Sequence, residues 1–491
     1  MRTESFSWVE DPYVRKNTNL EPISVPTLMK YLERLGKAVE RKLRALIPDK
    51  FGIVFDAWTM GTEHYVALFL VWSSLDNAVH ERLISCGVQE ELEADGDETT
   101  FTAEDLGDYI FDELDLLGRT DVRARVMAST IQNATEAAKL DNPFDVVGGD
   151  NTNTNPKLAR LLGAPFKGCD AHKENLEVTE FVGPKAKRAR GDVESNDNES
   201  DESLTKRRKL VMKTDKLMVS LTTLKNSSKL RRVNKLKAKR INGVRWAAQL
   251  GTMIRESEIR EDLPQANFPR DVRALFLTPV EQSDADELVK DLKMFEKVSK
   301  ALQGQGKSKQ SPRLTVSQSR NLLNKLIDKF PDHNFTKINE DSPLVTHPVW
   351  ESAICKLQNG QEDRLTAAEK REVKRYLLPD ASADDDIDED DDEFCVANIV
   401  AAQHKEVSSR MKKSRYRSTN HIPTTSVIVE CLFSRAKIIL AERRRSMSPW
   451  HMELLLFLYC NRDLWDATTV NSCMVPGEDF WSDDEEDPAE D

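Results

Sequence analysis

The sequence predicts an α/β fold, and three observations predict it. Short, nearly continuous apolar runs alternate with amphipathic helical stretches over the first 180 residues or so. A long central region reads as mostly helical with polar loops, and two apolar helical stretches return near the C-terminus.

The first element is a helix over 27–47. Leu28, Leu32, Leu35, Val39, Leu43 and Leu46 recur at spacings of three and four, with Thr27 as its N-cap and Pro48 as its stop. FGIVFDAW (51–58) follows as an apolar run ending in Asp56, then HYVALFLVWSS (64–74) and the weaker VHERLISCGV (79–88). Such continuous runs suit strands buried on both faces. TAEDLGDYIFDELDLL (102–117) is a helix whose Thr102 and Asp105 resemble a capping box, and 119–139 is a second helical stretch. FDVVGGD (144–150) is a fourth strand, again ending in an acid; Leu158, Leu161 and Leu162 begin a short helix, 166–169 is a fifth strand, and a helix starts at His172. This order of strands and helices is that of an RNase H-like sheet.

The character changes at about 183. GPKAKRARGDVESNDNESDESLTKRRK is polar, acidic in its middle and basic at both ends, the composition of a disordered segment. Residues 206–245 hold fifteen Lys and Arg and one acid, Asp215, threaded by leucines and valines, and read as one or two basic amphipathic helices. The acidic run 381–393 reads as solvated and mobile. SVIVECLFSRAKIIL (426–440) and MELLLFLYCNRDLW (452–465) are apolar helical stretches, and the tail is acidic.

Bulk properties narrow the class. The chain has 491 residues and a net charge of −13, which argues against a uniformly basic nucleic-acid coat but not against local basic surfaces. No apolar run approaches the roughly 18 residues that span a bilayer, so no membrane partner is expected. The seven cysteines are scattered without a C-x-x-C pair, which excludes a zinc finger of usual spacing and fits free thiols in a reducing compartment. No P-loop, dinucleotide-binding glycine pattern or G-x-S-x-G elbow is present, and no small-molecule substrate is expected.

Five blocks in order resemble the hAT superfamily of DNA transposases over most of the chain. DAWT (56–59) resembles the family's D-G-W-T element, and GGDNTNTN (148–155) its second strand-end aspartate followed by Asn. GCDAH (168–172) resembles the C-x-x-H element, VRWAA (244–248) the T-R-W element, and the segment from Thr424 to Trp465 the C-terminal dimerisation region. The resemblance implies an RNase H-like mixed sheet interrupted by a large, mostly helical insertion domain. The implied organisation is an N-terminal helical segment at 1–48, core at 49–176, and insertion at 177–415 with 183–205 and 381–393 disordered. The rest of the core, with the dimerisation region, follows at 416–468, and an acidic disordered tail at 469–491.

The resemblance also implies the chemistry. Asp56, Asp150 and Glu430 match the family's catalytic, metal-binding carboxylates, and Mg²⁺ or Mn²⁺ is the expected cofactor. Hard cations of this kind take carboxylate oxygen and water, and a pair of them can serve the attacking and the leaving oxygen of a phosphodiester. DNA contacts are expected at Trp58 and Trp246 as stacking platforms, at Arg245 beside Trp246, at His172, and at the basic Lys206, Arg207, Arg208 and Lys209. Those four, with Lys185, Lys187, Arg188 and Arg190, also read as a bipartite nuclear-import signal. Leu432, Phe433, Leu454, Leu455, Phe457, Leu458 and Trp465 would form core plus dimer surface, giving a homodimer or higher oligomer.

Composition alone gives plainer readings. Each acid is then one of 84, a surface group or a cap; both tryptophans and the C-terminal apolar block are core; His172 is a core or cap histidine; the basic stretch is a solvated face. The family's N-terminal BED-type zinc finger is missing, Ala57 stands for the usual Gly, and Cys431 stands where a cation usually follows the third acid. The expectation is therefore a DNA-cutting and -joining transposase-like protein. Its alternative is a truncated or domesticated nuclear protein that dimerises and binds DNA without catalysis.

Overall fold

The structure, a computed structural model, describes residues 5–19, 21–60, 63–74, 76–88, 102–183, 202–241, 246–304, 313–378, 414–440 and 447–474. It is an α/β protein with a five-stranded mixed sheet, and the chain divides into two compact units. The first is Met1–Phe166 with Ser426–Asp491, and the second is Lys167–Thr425. The divisions fall ten residues from those expected at 176 and 416, and the segment 1–48 is part of the first unit.

In the first unit, helix α1 (Val25–Arg44) precedes β1 (Phe51–Met60), β2 (Glu63–Ser73) and β3 (Val79–Val88). Helix α2 (Ala103–Leu116), β4 (Phe144–Gly149) and α3 (Thr154–Leu161) follow, and the short β5 (Phe166–Gly168) begins at the last residue of this stretch of the unit. The sheet order is β3-β2-β1-β4-β5. β1 pairs antiparallel with β2 and parallel with β4, where Val54 lies opposite Gly148, and β2 pairs antiparallel with β3.

The continuous apolar strands are explained by burial on both faces. Phe51, Ile53 and Phe55 enter one core with Leu35, Val39 and Leu43 of α1 and Leu106, Ile110 and Leu114 of α2. Val54 enters the other, with Val429 and Leu432 of α10 (Val427–Ile439) and Leu455 of α11 (Pro449–Cys460); α4 to α9 belong to the second unit and are given below. Helix α11 also seals the β3 edge: Asn461 donates to the Leu83 carbonyl at 2.9 Å, and Glu453 accepts the Cys86 N–H at 2.9 Å. An unpaired edge strand is a template for unwanted pairing, and these side chains occupy it.

Local signals account for the helix starts. The capping box at α2 is present, with Thr102 and Asp105 satisfying each other's backbone N–H groups. At α1 the cap is Ser24 rather than Thr27, because Pro26 is tolerated in a first turn where its missing N–H is not needed. The stretch 119–139 is two helices, Asp121–Thr130 and Glu136–Asp141. β1 does not end at Asp56 but runs four residues further, paired only with β2 beyond its last register with β4.

The second unit is helical. Its main elements are α4 (Asp170–Val182), α5 (Glu202–Leu221), α6 (Ala247–Ile259), α7 (Pro279–Leu302), α8 (Val316–Lys329) and α9 (Pro348–Gln358). One core gathers Leu217, Leu221, Leu230, Ile259 and Phe268, and a second cluster stacks Phe295 on Phe330 beside Phe181.

Two disorder expectations are corrected at their margins. The segment expected to be disordered to 205 is helical from Glu202, and the tail expected from 469 is helical to Met474 in α12 (Ala467–Met474). The expected basic helices are α5 and Leu224–Val233. The rest of 183–205 beyond Gly183, all of 381–393 and the remainder of the tail lie outside the described residues. Among the described residues six cysteines are free, and no helix is long and apolar enough to cross a membrane.

Candidate functional site

The first unit brings Asp56, Asp150 and the helix of Glu430 onto neighbouring segments. Alternation along β1 puts Val54, Asp56 and Trp58 on one face, and Val54 and Trp58 both pack into the core that α10 covers. Asp150 directly follows β4, the parallel neighbour of β1. Glu430 lies in the first turn of α10. All three carboxylates are half-buried.

Ser426 ties two of these segments together. It caps α10 by position, yet its hydroxyl makes no bond to its own helix. Instead Ser426 Oγ donates to Asp150 Oδ1 at 3.1 Å, while the Ser426 carbonyl accepts the Glu430 N–H at 3.3 Å. One residue thus links the β4 end to the turn that carries Glu430. On the other side of Asp150, Asn155 donates to the Asp150 carbonyl at 2.9 Å. Asp56 Oδ1 accepts the N–H of Ala57 at 2.9 Å.

Ser426→Ala is expected to cost about 1.5–3 kcal/mol, the scale of a hydrogen bond to a charged group. Urea denaturation measures it, and a loss below about 0.5 kcal/mol would mean the serine does not hold Asp150.

The donors are all hard carboxylate oxygens, the type that Mg²⁺ and Mn²⁺ take. They are not drawn together, however: among the described residues no three His, Cys, Asp or Glu side chains are gathered closely enough to hold a metal ion. Their chemistry fits the cation.

Trp58 is not an open platform. Its ring stacks on Tyr65 at 5.7 Å and tilts against Phe433 at 5.4 Å, and Lys437 Nζ stands 5.3 Å from its centroid. That lysine, one turn beyond Phe433 on α10, has no signal in the sequence that sets it apart from other helical lysines. Ser426 was not anticipated either, although a serine directly before a helix is a recognisable cap signal.

The residues expected at a dimer surface are mostly core. Leu432, Phe433, Leu455, Phe457 and Leu458 are buried within the chain, Leu454 packs against the core, and the Trp465 indole donates to the Leu458 carbonyl at 2.9 Å. The sheet thus takes up the apolar faces of both helices. Among the described residues of the segment, the exposed large apolar side chains are Ile438, Trp450 and Tyr459.

In the second unit Trp246 is 3% exposed, which places it in the core rather than on a base-stacking surface. Its neighbour Glu174 is wholly buried, and neither carboxylate oxygen completes a hydrogen bond of normal geometry. Burial pushes the Glu174 carboxyl up to about 8, against the weaker pull of Ser299 and Trp246. Between the ordinary value of 4.5 and about 8, the folded protein holds a proton that the unfolded chain has lost. Stability should therefore fall as pH rises through that window, at about 1.4 kcal/mol for each pH unit crossed and by a few kcal/mol across it. Glu174→Gln is expected to flatten the profile of unfolding free energy between the ordinary value of 4.5 and about pH 8; an unchanged profile would exclude Glu174 as its source.

His172 lies half-buried in the first turn of α4. Lys206 pairs with Asp284 at 3.0 Å, Arg207 lies over the Phe181 ring at 3.9 Å, Arg208 is half-buried beside Gly183, and Lys209 is exposed. Part of the basic face is thus engaged within the unit. Arg245, Lys185, Lys187, Arg188 and Arg190 lie outside the described residues.

The same unit holds a buried ion cluster that no sequence pattern announced. Asp170 meets Lys167 at 2.7 Å and Lys173 at 3.3 Å and accepts from Ser319 at 2.6 Å, and Glu351 lies 3.4 Å from Lys167. Burial would raise the Asp170 carboxyl, but Lys167 and Lys173 outweigh it and hold it below the usual range.

No known protein-family profile matches this chain, and no curated protein matches it.

Proposed function

We propose that the chain is a hAT-type, transposase-like DNA-binding protein in which Asp56, Asp150 and Glu430 form the catalytic carboxylate set. The observation that carries this reading is the Ser426–Asp150 hydrogen bond, which ties the β4 acid to the helix turn of Glu430 across 276 residues. The strand order β3-β2-β1-β4-β5, with β4 parallel to β1 and the other β1 partner antiparallel, supports an RNase H-like sheet. The return of the chain to the first unit at Ser426 supports reading Lys167–Thr425 as the helical insertion.

Asp56, Asp150 and Glu430 would hold Mg²⁺ or Mn²⁺, which on binding would supply charge to stabilise both oxygens of an in-line displacement at phosphorus. The chain's own part is to orient these carboxylates: Ser426 fixes one oxygen of Asp150, and the packing of Val54 and Trp58 fixes the face on which Asp56 stands. Lys206, Arg207, Arg208 and Lys209 of α5, with the basic residues that follow, would contribute DNA phosphate contacts that weaken steeply with salt. His172 would lie near DNA, and nuclear import and homodimerisation complete the reading.

The second reading is a nuclear DNA-binding and dimerising protein without catalysis, in which Cys431 stands where a cation usually follows the third acid. A cleavage and strand-transfer assay with Mg²⁺ or Mn²⁺ and the element's own DNA ends separates the two. Products from wild type and not from Asp56→Ala support the first reading; no products above the mutant overturn it.

A further inference from the structure

A cleft of about 510 Å³ opens in the first unit between α1, α2 and α11. Its inner wall is apolar, with Ile84 of β3, Leu117, Leu454 and Phe457. The mouth keeps large apolar side chains in water, Leu116 at 67% and Trp450 at 48% exposure. Its size falls within the range of roughly 300–1,000 Å³ that encloses small ligands, and apolar walls with a few convergent polar groups are the usual make-up of such sites.

The polar groups in this cleft are chiefly acids. Glu113 and Glu453 both line it. Glu453 is held in place by its Oε1, which accepts Ser85 Oγ at 2.7 Å and the Cys86 N–H at 2.9 Å. Burial, and then the charge of Glu453, push the Glu113 carboxyl up to about 7, with Ser85 pulling the other way. Arg44, which also lines the cleft, is paired there with Glu40 at 2.6 Å and donates to the Leu116 carbonyl. Lys37 stands exposed at the rim, opposite in charge to the exposed Glu33. Two carboxyl groups that disfavour each other's charge in an apolar cleft are relieved by a positive charge between them. An exposed indole at the mouth adds a face that attracts cations.

We infer that this cleft binds a small organic cation, an ammonium carried on an apolar body, with the charge seated at Glu113 and Glu453 and the body along Leu454, Phe457 and Trp450. The site is independent of the carboxylates proposed for DNA chemistry. None of its lining residues is among them, and its occupation needs no nucleic acid. Matching an acid pair with an ammonium, rather than filling the cleft with apolar surface alone, makes charge the discriminating feature of the ligand.

Isothermal titration of the full chain with 2-phenylethylammonium, against neutral 2-phenylethanol of nearly the same shape, tests this. The expected result is saturable one-to-one binding with a Kd below about 1 mM for the ammonium and at least about tenfold weaker binding of the alcohol. Glu113→Gln, which removes the ionisable carboxyl and keeps the side chain's shape, is expected to weaken the ammonium about tenfold with an unchanged circular dichroism spectrum. Trp450→Ala, at an exposed position, is expected to weaken it severalfold. Absence of saturation, equal binding of the alcohol, or undiminished binding by folded Glu113→Gln each overturns the inference.

Discussion

Asp56→Ala is expected to lower Mg²⁺-dependent DNA strand cleavage by roughly a hundredfold or more, the scale of removing one group that stabilises charge developing at a reacting centre. The fold should survive the change. Asp56 is half-buried on a strand that continues past it for four residues, and its backbone pairing with Ala67 of β2 does not depend on the side chain. The stability cost should stay within about 1 kcal/mol. Activity and stability are then separable: a variant with wild-type melting behaviour and no products identifies a reacting carboxylate. A variant that retains cleavage while folded would remove Asp56 from the proposed set. Asp56→Glu is a useful companion, because it keeps the charge and moves it by one methylene; a merely electrostatic role would tolerate that shift, whereas direct ligation would not.

Asp170→Ala should have the largest effect on stability. The carboxylate answers two lysines whose side chains are wholly buried, and Ser319 donates to its second oxygen. Without it, Lys167 and Lys173 are left to Glu351, at 3.4 and 3.9 Å, a carboxylate they share with Arg320 at 4.0 Å. Removing one member of a buried ion cluster typically costs about 3–5 kcal/mol, because a charge is left in a low-dielectric interior. Lys173 is already held below its usual value by burial and by Lys167, so its proton would be the first to leave in the variant. Hydrogen exchange of the α4 amides, which Asp170 opens, reads the loss directly. Protection within about 1 kcal/mol of wild type would mean that water or rearrangement compensates the lysines. Asp170→Ala with Lys167→Met should recover much of the loss, since the pair is then replaced by apolar bulk.

The two cases mark the limits of what the chain discloses before folding. The five strands, the capping box at Thr102 and the helix of Glu430 were all legible, because each rests on periodicity or on a local cap. The continuation of β1 past Asp56 was not, because Ala57, Trp58 and Thr59 hold their extended form through β2, a pairing that lies outside the segment. The burial of the apolar C-terminal block in the core was legible, but how its apolar side chains divide between the two faces of the sheet was not. Asp170 falls inside the GCDAH block, Lys167 in the expected fifth strand and Lys173 in the helix expected from His172, and nothing in these local patterns joins the three. Polarity patterns assign such residues to the surface, and only the folded chain reveals acids and bases buried together. Ser426 lies between these extremes. Its place before a helix was readable, but its hydroxyl serves a residue 276 positions earlier, which no local spacing encodes.

The sealing of the β3 edge has a consequence for synthesis. Strands β1 to β3 leave the ribosome early, whereas Glu453 and Asn461, which occupy the Leu83 and Cys86 backbone groups, are made more than 360 residues later. At about 5–20 residues per second, that interval lasts tens of seconds, during which the nascent chain carries a strand with an unfilled border. The charged residues Glu81 and Arg82 within β3 are the natural guard for that period, since side-chain charge discourages pairing between neighbouring nascent chains. Arg82 later joins Asp463, so the residue that keeps the unfinished strand solitary becomes a fastening of the finished one.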